Sequence, residues 1–324
     1  MRWLIWFRQV WCSRPSHECL RLKLAELSSA DLRHRLHGSG LVVTTGPFSF
    51  RLTSPFASVA DGLALLYARH VVQAADVYAD FAVHIGRGTG LRRWIKPQSS
   101  FLFDGQPVFE PLPEAHAYPL LEWAMNWCIS AHAHQYLIIH AAVIERGGRA
   151  AVLPAPPGSG KSTLCAGLLH RGWRLLSDEL ALVSMADGRI WPLCRPVSLK
   201  NASIEVIQRF EPAALLNRIT HDTTKGSVTH MQVPPGHLDA MDIPAPLRWV
   251  VFPKYVPGAP ATLVARSRAG SVVDLARNSF NFGVLGAAGF ERLCDLVEGS
   301  RCFDFSYSRL DDAVSAFEQL AASP

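Results

Sequence analysis

No apolar run in the chain reaches the roughly 18 residues that a membrane-spanning helix needs, so no transmembrane segment is expected. Long runs of Lys or Arg are missing as well. The formal net charge of +5 favours anionic ligands weakly and gives no sign of a nucleic-acid partner. Neither an aromatic–basic RNA motif nor zinc-finger spacing occurs. The seven cysteines (Cys12, Cys19, Cys128, Cys165, Cys194, Cys294 and Cys302) are odd in number, scattered and without a C-x-x-C pair. That pattern argues against a disulfide framework and for reduced thiols in a cytoplasmic protein. No internal repeat is evident. What is present is an ordinary globular composition, 49% hydrophobic and 18% charged, able to bury a sizeable core. A length of 324 residues predicts about two domains.

The opening, Met1-Arg2-Trp3-Leu4-Ile5-Trp6-Phe7-Arg8, begins like a signal peptide, but its apolar run is short and Arg8 interrupts it. Arg2, Arg8, Arg14, Arg21 and Lys23 interleave with aromatics, as a membrane-surface helix would also show. An ordinary packing segment, or an overlong gene start, is the simpler expectation.

The most informative segment is Ala155-Pro156-Pro157-Gly158-Ser159-Gly160-Lys161-Ser162-Thr163, which fits [A/G]-x-x-x-x-G-K-[S/T], the Walker A pattern of a phosphate-binding loop. At average composition the pattern arises by chance about 0.03 times in a chain of this length, so the match is specific. Glycines let successive N–H groups curl round phosphate oxygens with no Cβ in the way. Lys161 can reach the outer phosphates, and the Ser162 hydroxyl can coordinate Mg²⁺. Context agrees: Ala150–Leu153 reads as a buried strand, Ser162–His170 as a helix with Leu164, Leu168 and Leu169 on one face, and Gly172 as its stop. A helix N-terminus here adds partial positive charge where phosphates would sit.

A second short apolar run, Trp173–Leu176, leads into Ser177-Asp178-Glu179. An NTP-using enzyme needs a carboxylate at a strand end to hold Mg²⁺, and often another to accept a proton. As the next strand after the phosphate helix, this run is expected to lie beside the loop strand. Upstream, Tyr136–Ile144 is a further strand with His140 inside it. A turn at Gly147-Gly148 would fold it against the loop strand and bring His140 toward Asp178. Taken alone, His140 reads first as a hydrogen-bonded core histidine; its functional reading comes from its place beside the loop strand.

Residues 1–112 read as a smaller α/β N-terminal accessory domain, and 113–324 as the catalytic domain. In the first, Leu41–Thr45 and Phe48–Leu52 flank Gly46-Pro47 as a hairpin, Val59–Ala75 carries apolar residues at helical spacing, and Phe81–Ile85 alternates as a strand. Phe101–Phe103 and Pro107–Phe109 bracket an Asp104-Gly105 turn, and Pro107, Pro111, Pro113 and Pro119 mark a linker. Leu120–His134 predicts a helix on which Trp123/Trp127 and Glu122/Asn126 each share a face. His132, His134 and His140 are separated by a helix-to-strand change, so no transition-metal site is expected. Leu180–Val183 and Arg189–Leu193 flank Asp187-Gly188, a further hairpin, which makes the sheet mixed and not doubly wound. Arg195 and Lys200 follow in RPVSLK, and Lys225-Gly226 precedes a strand from Val228 to Val233. Near the end, Ser308 with Asp311 three residues on reads as a helix cap, and Ala313, Val314 and Phe317 as the buried face.

The order His140, APPGSGKST, then SDE at 177–179 resembles the HPr kinase/phosphorylase family and its phosphoenolpyruvate carboxykinase relatives. Those proteins carry a strand with a His, a Walker A loop and an acidic pair on the following strand. The fuller match is to HPr kinase-related proteins of the HprK-related kinase A type. It rests on LEWAMNWC at 121–128, HAAVIE at 140–145, RPVSLKNASI at 195–204, DTTKGSVTHM at 222–231, FPKY at 252–255 and NSFNFGVLG at 278–286, so it spans most of the chain. The resemblance implies an α/β fold with a P-loop kinase core of HPr kinase/phosphoenolpyruvate carboxykinase type. It also implies roles. Lys161 neutralises the transferring phosphates, Ser162 coordinates Mg²⁺, Asp178 is the general base, and His140 hydrogen-bonds or tunes it. Glu179 helps hold the metal where the family usually has Asp, and Ala155 stands where Gly is common. DTTKGSVTH gives Lys225 a phosphate or acceptor role, and Arg195 and His230 the same more weakly. The glycine-rich segment by which HPr kinases engage their phosphocarrier has no counterpart, so that carrier is not the implied acceptor. A homo-oligomer is compatible with the resemblance.

The function expected from these readings is an ATP- and Mg²⁺-dependent kinase. It would transfer the γ-phosphate to a hydroxyl, of Ser or Thr, on a protein or peptide acceptor. The alternatives are a small-molecule kinase or phosphorylase, and a nucleotide-binding regulatory switch with weak hydrolysis.

Overall fold

The computed structural model describes residues 22–88 and 95–323, so the arginine-rich opening segment lies outside the described residues apart from Lys23. After α1 (Ser29–His37), capped by the Ser28 hydroxyl, β1 (Leu41–Thr45) and β2 (Phe48–Thr53) form the hairpin expected around Gly46-Pro47. There follow α2 (Ala57–Leu66), β3 (Val72–Ala74), β4 (Phe81–Arg87), β5 (Gln98–Phe103), β6 (Gln106–Pro107) and β7 (Leu112–Pro113). The strands form one sheet in the order β3-β1-β2-β4-β5-β6, with β7 also on β5. The helix expected over Val59–Ala75 is therefore too long. It stops at Leu66 because the main-chain oxygens of Ala68 and His70 accept from Ala25 and Leu24, and Val72–Ala74 pairs with the open edge of β1. The proline segment is not a free linker either: Pro107 and Pro113 sit on short edge strands stitched to β5, where a missing N–H costs no ladder bond.

α3 (Ala117–His132) covers this sheet, and Leu120, Leu121, Ala124, Met125 and Cys128 join a core that also contains Phe50, Val83 and Phe101. The same core extends to Tyr136, Ile138, Leu180 and Leu182 of the second sheet. That sheet is built from β8 (Tyr136–Arg146), β9 (Arg149–Pro154), β10 (Arg174–Ser177), β11 (Leu180–Ser184) and β12 (Ile190–Trp191), with α4 (Lys161–Leu169) between β9 and β10. A three-stranded sheet follows: β13 (Val197–Lys200), then α5 (Ala202–Phe210), β14 (Thr220–Thr223) and β15 (Gly226–Met231), in the order β13-β15-β14. After α6 (Pro235–Leu238), the chain returns to the second sheet as β16 (Leu247–Tyr255) and β17 (Thr262–Ala265). α7 (Arg268–Arg277), α8 (Phe282–Glu298), β18 (Arg301–Tyr307) and α9 (Leu310–Ala322) complete the chain.

The second sheet runs β12-β11-β8-β9-β16-β18-β17. β9, β16 and β18 are mutually parallel and the other pairings antiparallel, so the sheet is mixed, as expected. One expectation fails here. β10 pairs with β8 and not with the loop strand β9, whose neighbours are β8 and β16. β8 is long enough to hold β9 along one edge and β10 and β11 in succession along the other. A strand almost a hundred residues downstream, β16, takes the remaining edge of β9. α9 also departs from expectation. Ser308 does not cap it, because its hydroxyl donates to Ala259 O, and the helix begins at Leu310; Ala313, Val314 and Phe317 are buried as read. No described helix is long and apolar enough to cross a membrane.

Candidate functional site

Alternation along β8 explains why a histidine sits in an apolar strand. Leu137, Ile139, Ala141 and Val143 face a core closed by α7 and α8. On the other face, Tyr136 and Ile138 enter the core shared with α3, whereas Ala142 and Ile144 enter the core beneath α4. His140 falls on that second face, between the two cores and a member of neither. The β10–β11 connection lies opposite: the Ala141 N–H donates to Glu179 O at 3.2 Å. Asp178 and Glu179 therefore occupy a bend between two strands that share one partner, and both carboxylates turn toward β13.

Asp178 Oδ2 accepts the Ser198 N–H at 3.0 Å and the Ser162 hydroxyl at 3.3 Å. Glu179 is held by Asn126 Nδ2 at 2.5 Å and Lys200 Nζ at 3.3 Å. Burial pushes Asp178 up to about 6, with Glu179 adding to the shift. Glu179 is partly buried, which alone would raise it, but Lys200, Lys225, Lys161 and Arg195 outweigh that and hold it at about 2. The pair is thus split into one carboxylate that keeps its charge and one that can exchange a proton near neutral pH. Burial, helped by Lys161, drives the His140 ring down to about 4, so it is neutral at ordinary pH. Its ring packs 5.7 Å from that of Phe280, and among the described residues no hydrogen bond joins it to Asp178.

The glycine loop leaves β9 at Ala155, passes the exposed Pro156 and Pro157, and enters α4 through Gly158, Ser159 and Gly160. Gly158 and Gly160 have φ of +84° and +87°. A Cβ on Gly158 would meet nothing within 4 Å, so that glycine borders open space, whereas one on Gly160 would lie 2.5 Å from the Tyr307 hydroxyl. Tyr307 donates to Gly160 O at 2.8 Å, and the Tyr255 N–H to Ser159 O at 2.9 Å, so two strand ends clamp the loop. Thr163 follows Ser162 in the first turn of α4 and is partly buried.

Lys161 is the unusual member. It is only 8% exposed, yet its Nζ has no hydrogen-bond partner among the described residues. Burial lowers its pKa while Asp178 and Glu179 resist. Asp178 Oδ1 and the hydroxyls of Ser159 and Ser198 are likewise buried without partners. Four orphaned polar atoms around one loop are far more than a finished core tolerates. A bound polyanion with a hard cation would satisfy them, since Ser162 and the carboxylates offer the oxygen ligands Mg²⁺ takes. The residues present therefore fit a Mg²⁺–nucleotide.

The remaining sites expected from the sequence are placed differently from one another. Arg195 is buried and committed: its guanidinium donates to Glu122 Oε2 at 2.6 Å, to Glu122 O at 2.8 Å and to Asn126 Oδ1 at 2.7 Å. Tyr67 and Tyr118 hydroxyls complete the Glu122 shell. His230 is buried edge-on to Tyr118, beside the same cluster. Lys225 is exposed, with Nζ 5.2 Å from the centre of the Trp123 ring. His132 stacks on Phe103, and His134 lies by Asn281.

Sequence reasoning gave no role to Ser198, Lys200, Tyr255 or Tyr307 and missed the bonding role of Asn126. For Asn126 a signal existed: Glu122 and Asn126 are polar residues one turn apart on a helix that is otherwise apolar. Arg195 orients the Asn126 amide by occupying its oxygen, which leaves the NH₂ for Glu179.

No family model and no curated protein matches the chain. Among solved structures, the HPr(Ser) kinase/phosphatase from Coxiella burnetii superposes with a TM-score of 0.26 at 11% identity, over 57% of this chain and 97% of that chain. A likeness of that size carries no argument about fold or activity.

Proposed function

We propose that the protein is a phosphotransferase using ATP and Mg²⁺, which moves the γ-phosphate to a hydroxyl, of Ser or Thr, on a protein or peptide acceptor. The observation that carries this reading is the buried, unpartnered Lys161 ammonium at the head of a glycine loop, with a buried carboxylate beside it. A desolvated cation is costly unless an anion completes it, and the loop's N–H groups add a second attraction for phosphate. When bound, Mg²⁺ would supply charge neutralisation at the phosphates. Ser162 and Glu179 are the residues assigned to hold it. Lys161 neutralises the transferring group. Asp178, anchored through Oδ2 by Ser198 and Ser162, uses its free Oδ1 to take the acceptor proton as the acceptor oxygen bonds to phosphorus and the bond to ADP breaks. Its place near pKa 6 suits a base working at neutral pH. His140, neutral and half-buried, shapes the acceptor side. Arg195 belongs to the support of Asn126 and Glu179 and not to the phosphates.

The test uses γ-labelled ATP with Mg²⁺ in a lysate of the source organism, comparing wild type with Asp178→Asn and separating protein from small molecules. Label in a protein band, lost in the variant, is the expected result. Label in a metabolite changes the acceptor class. Free phosphate alone, or transfer retained by the variant, overturns the kinase reading or the base assignment respectively.

A further inference from the structure

The glycine loop is flanked unequally. On the β8 side stand the proton-accepting Asp178 and His140. On the other side lie the C-terminal ends of β16 and β18, parallel to β9, with Tyr255 and Tyr307 paired in register as their last residues. In sheets of this kind ligands lie beyond the carboxyl ends of the parallel strands. If the γ-phosphate faces Asp178, the rest of the nucleotide must leave the loop toward β16 and β18. Direction follows from the position of the base, so this inference rests on the proposed function.

The two tyrosines divide the work. Tyr307 is buried, stacked on Phe305 at 5.4 Å, and its hydroxyl is spent on Gly160 O. Tyr255 is 48% exposed although its main chain is bonded to the loop at Ser159 O. Its Cβ lies 3.1 Å from where a Gly160 side chain would begin. The ring meets Tyr307 edge-on, at 6.0 Å and 77°, and about half of the residue stays open to solvent. Leaving a large aromatic surface in water beside a polar loop is unfavourable unless something covers it. We infer that Tyr255 is the stacking platform for the nucleobase of the bound nucleoside triphosphate. The loop then recognises the phosphates and Tyr255 the aromatic ring.

The probe pair is MgATP and magnesium tripolyphosphate, which shares the phosphate chain but has no base or ribose. Their dissociation constants are measured on the full chain as wild type, Tyr255→Ala and Tyr255→Phe. Base stacking is worth enough that removing the ring should weaken MgATP by about tenfold or more. Tripolyphosphate should stay within about twofold, and Tyr255→Phe should bind like wild type. Equal weakening of both probes overturns the inference, because Tyr255 would then only brace the loop. It also fails if Tyr255→Ala leaves MgATP binding unchanged, or if wild type holds tripolyphosphate as tightly as MgATP. In those last two cases the phosphate site itself survives. If wild type binds neither probe, the phosphate-site reading falls and takes the platform with it.

Discussion

Asp178 and Glu179 are adjacent in the chain and opposite in electrostatics. Glu179 reaches Lys200 and Asn126, which favour its charge; Asp178 reaches a backbone N–H and a serine, which favour it less, and sits in a drier place. The consequence is a pH dependence. If Asp178 is the base, kcat/KM should fall on its acid limb with an apparent midpoint near 6, one proton deep. A midpoint near 4, measured with the same acceptor, would remove Asp178 from that role. Stability moves the other way. Asp178's pKa is raised in the folded state, so the folded form holds the proton more tightly, and stability is lost as pH rises from its ordinary 3.8 through about 6. That interval corresponds to roughly 3 kcal/mol at most. Asp178→Asn should therefore lose transfer yet melt above wild type at pH 8. Sequence adjacency told us that two acids share a bend; it could not tell which would titrate, because Lys200, Ser198 and Asn126 come from β13 and α3.

At the scale of elements, the loop, its helix and the β8–β9 hairpin were legible because their signals are local: glycines at fixed spacing, apolar periodicity and a Gly-Gly turn. The strand beside β9 was not, since pairing across many residues leaves no trace in any short window. The clamp on the loop belongs to this second kind, as Tyr255 and Tyr307 arrive on distant strands. Gly160→Ala should expose its effect. The new Cβ meets the Tyr307 hydroxyl at 2.5 Å, and φ of +87° is unfavourable for any other residue. Left-handed backbone at a non-glycine costs on the order of 1–3 kcal/mol. Nucleotide binding should weaken at least about tenfold in Gly160→Ala. Gly158→Ala, with the same backbone strain but no neighbour within 4 Å, should lose less. Equal losses in a titration of the two variants would show that the clamp does not shape the loop.

Across the whole molecule, α3, which covers the first sheet, is joined to the connection between β12 and β13 through a buried ion pair. Glu122 and Arg195 are both nearly inaccessible, and Tyr67 from the first unit bonds to the carboxylate. Removing one partner from such a pair leaves a stranded charge, at a cost of about 3–5 kcal/mol. Glu122→Ala should show that loss in a urea titration, and replacing both partners by apolar residues of similar volume should recover most of it. Nothing near Arg195 in the sequence announced this partner on α3. β8 carries the coupling further, because its residues enter all three hydrophobic cores. Each core therefore loses part of its wall when that one strand lets go. In the language of cooperativity, the described residues form three sheets and should melt as a single unit. Tryptophan fluorescence and heat absorption should follow one transition, and a nucleotide seated at the loop should move that transition as a whole.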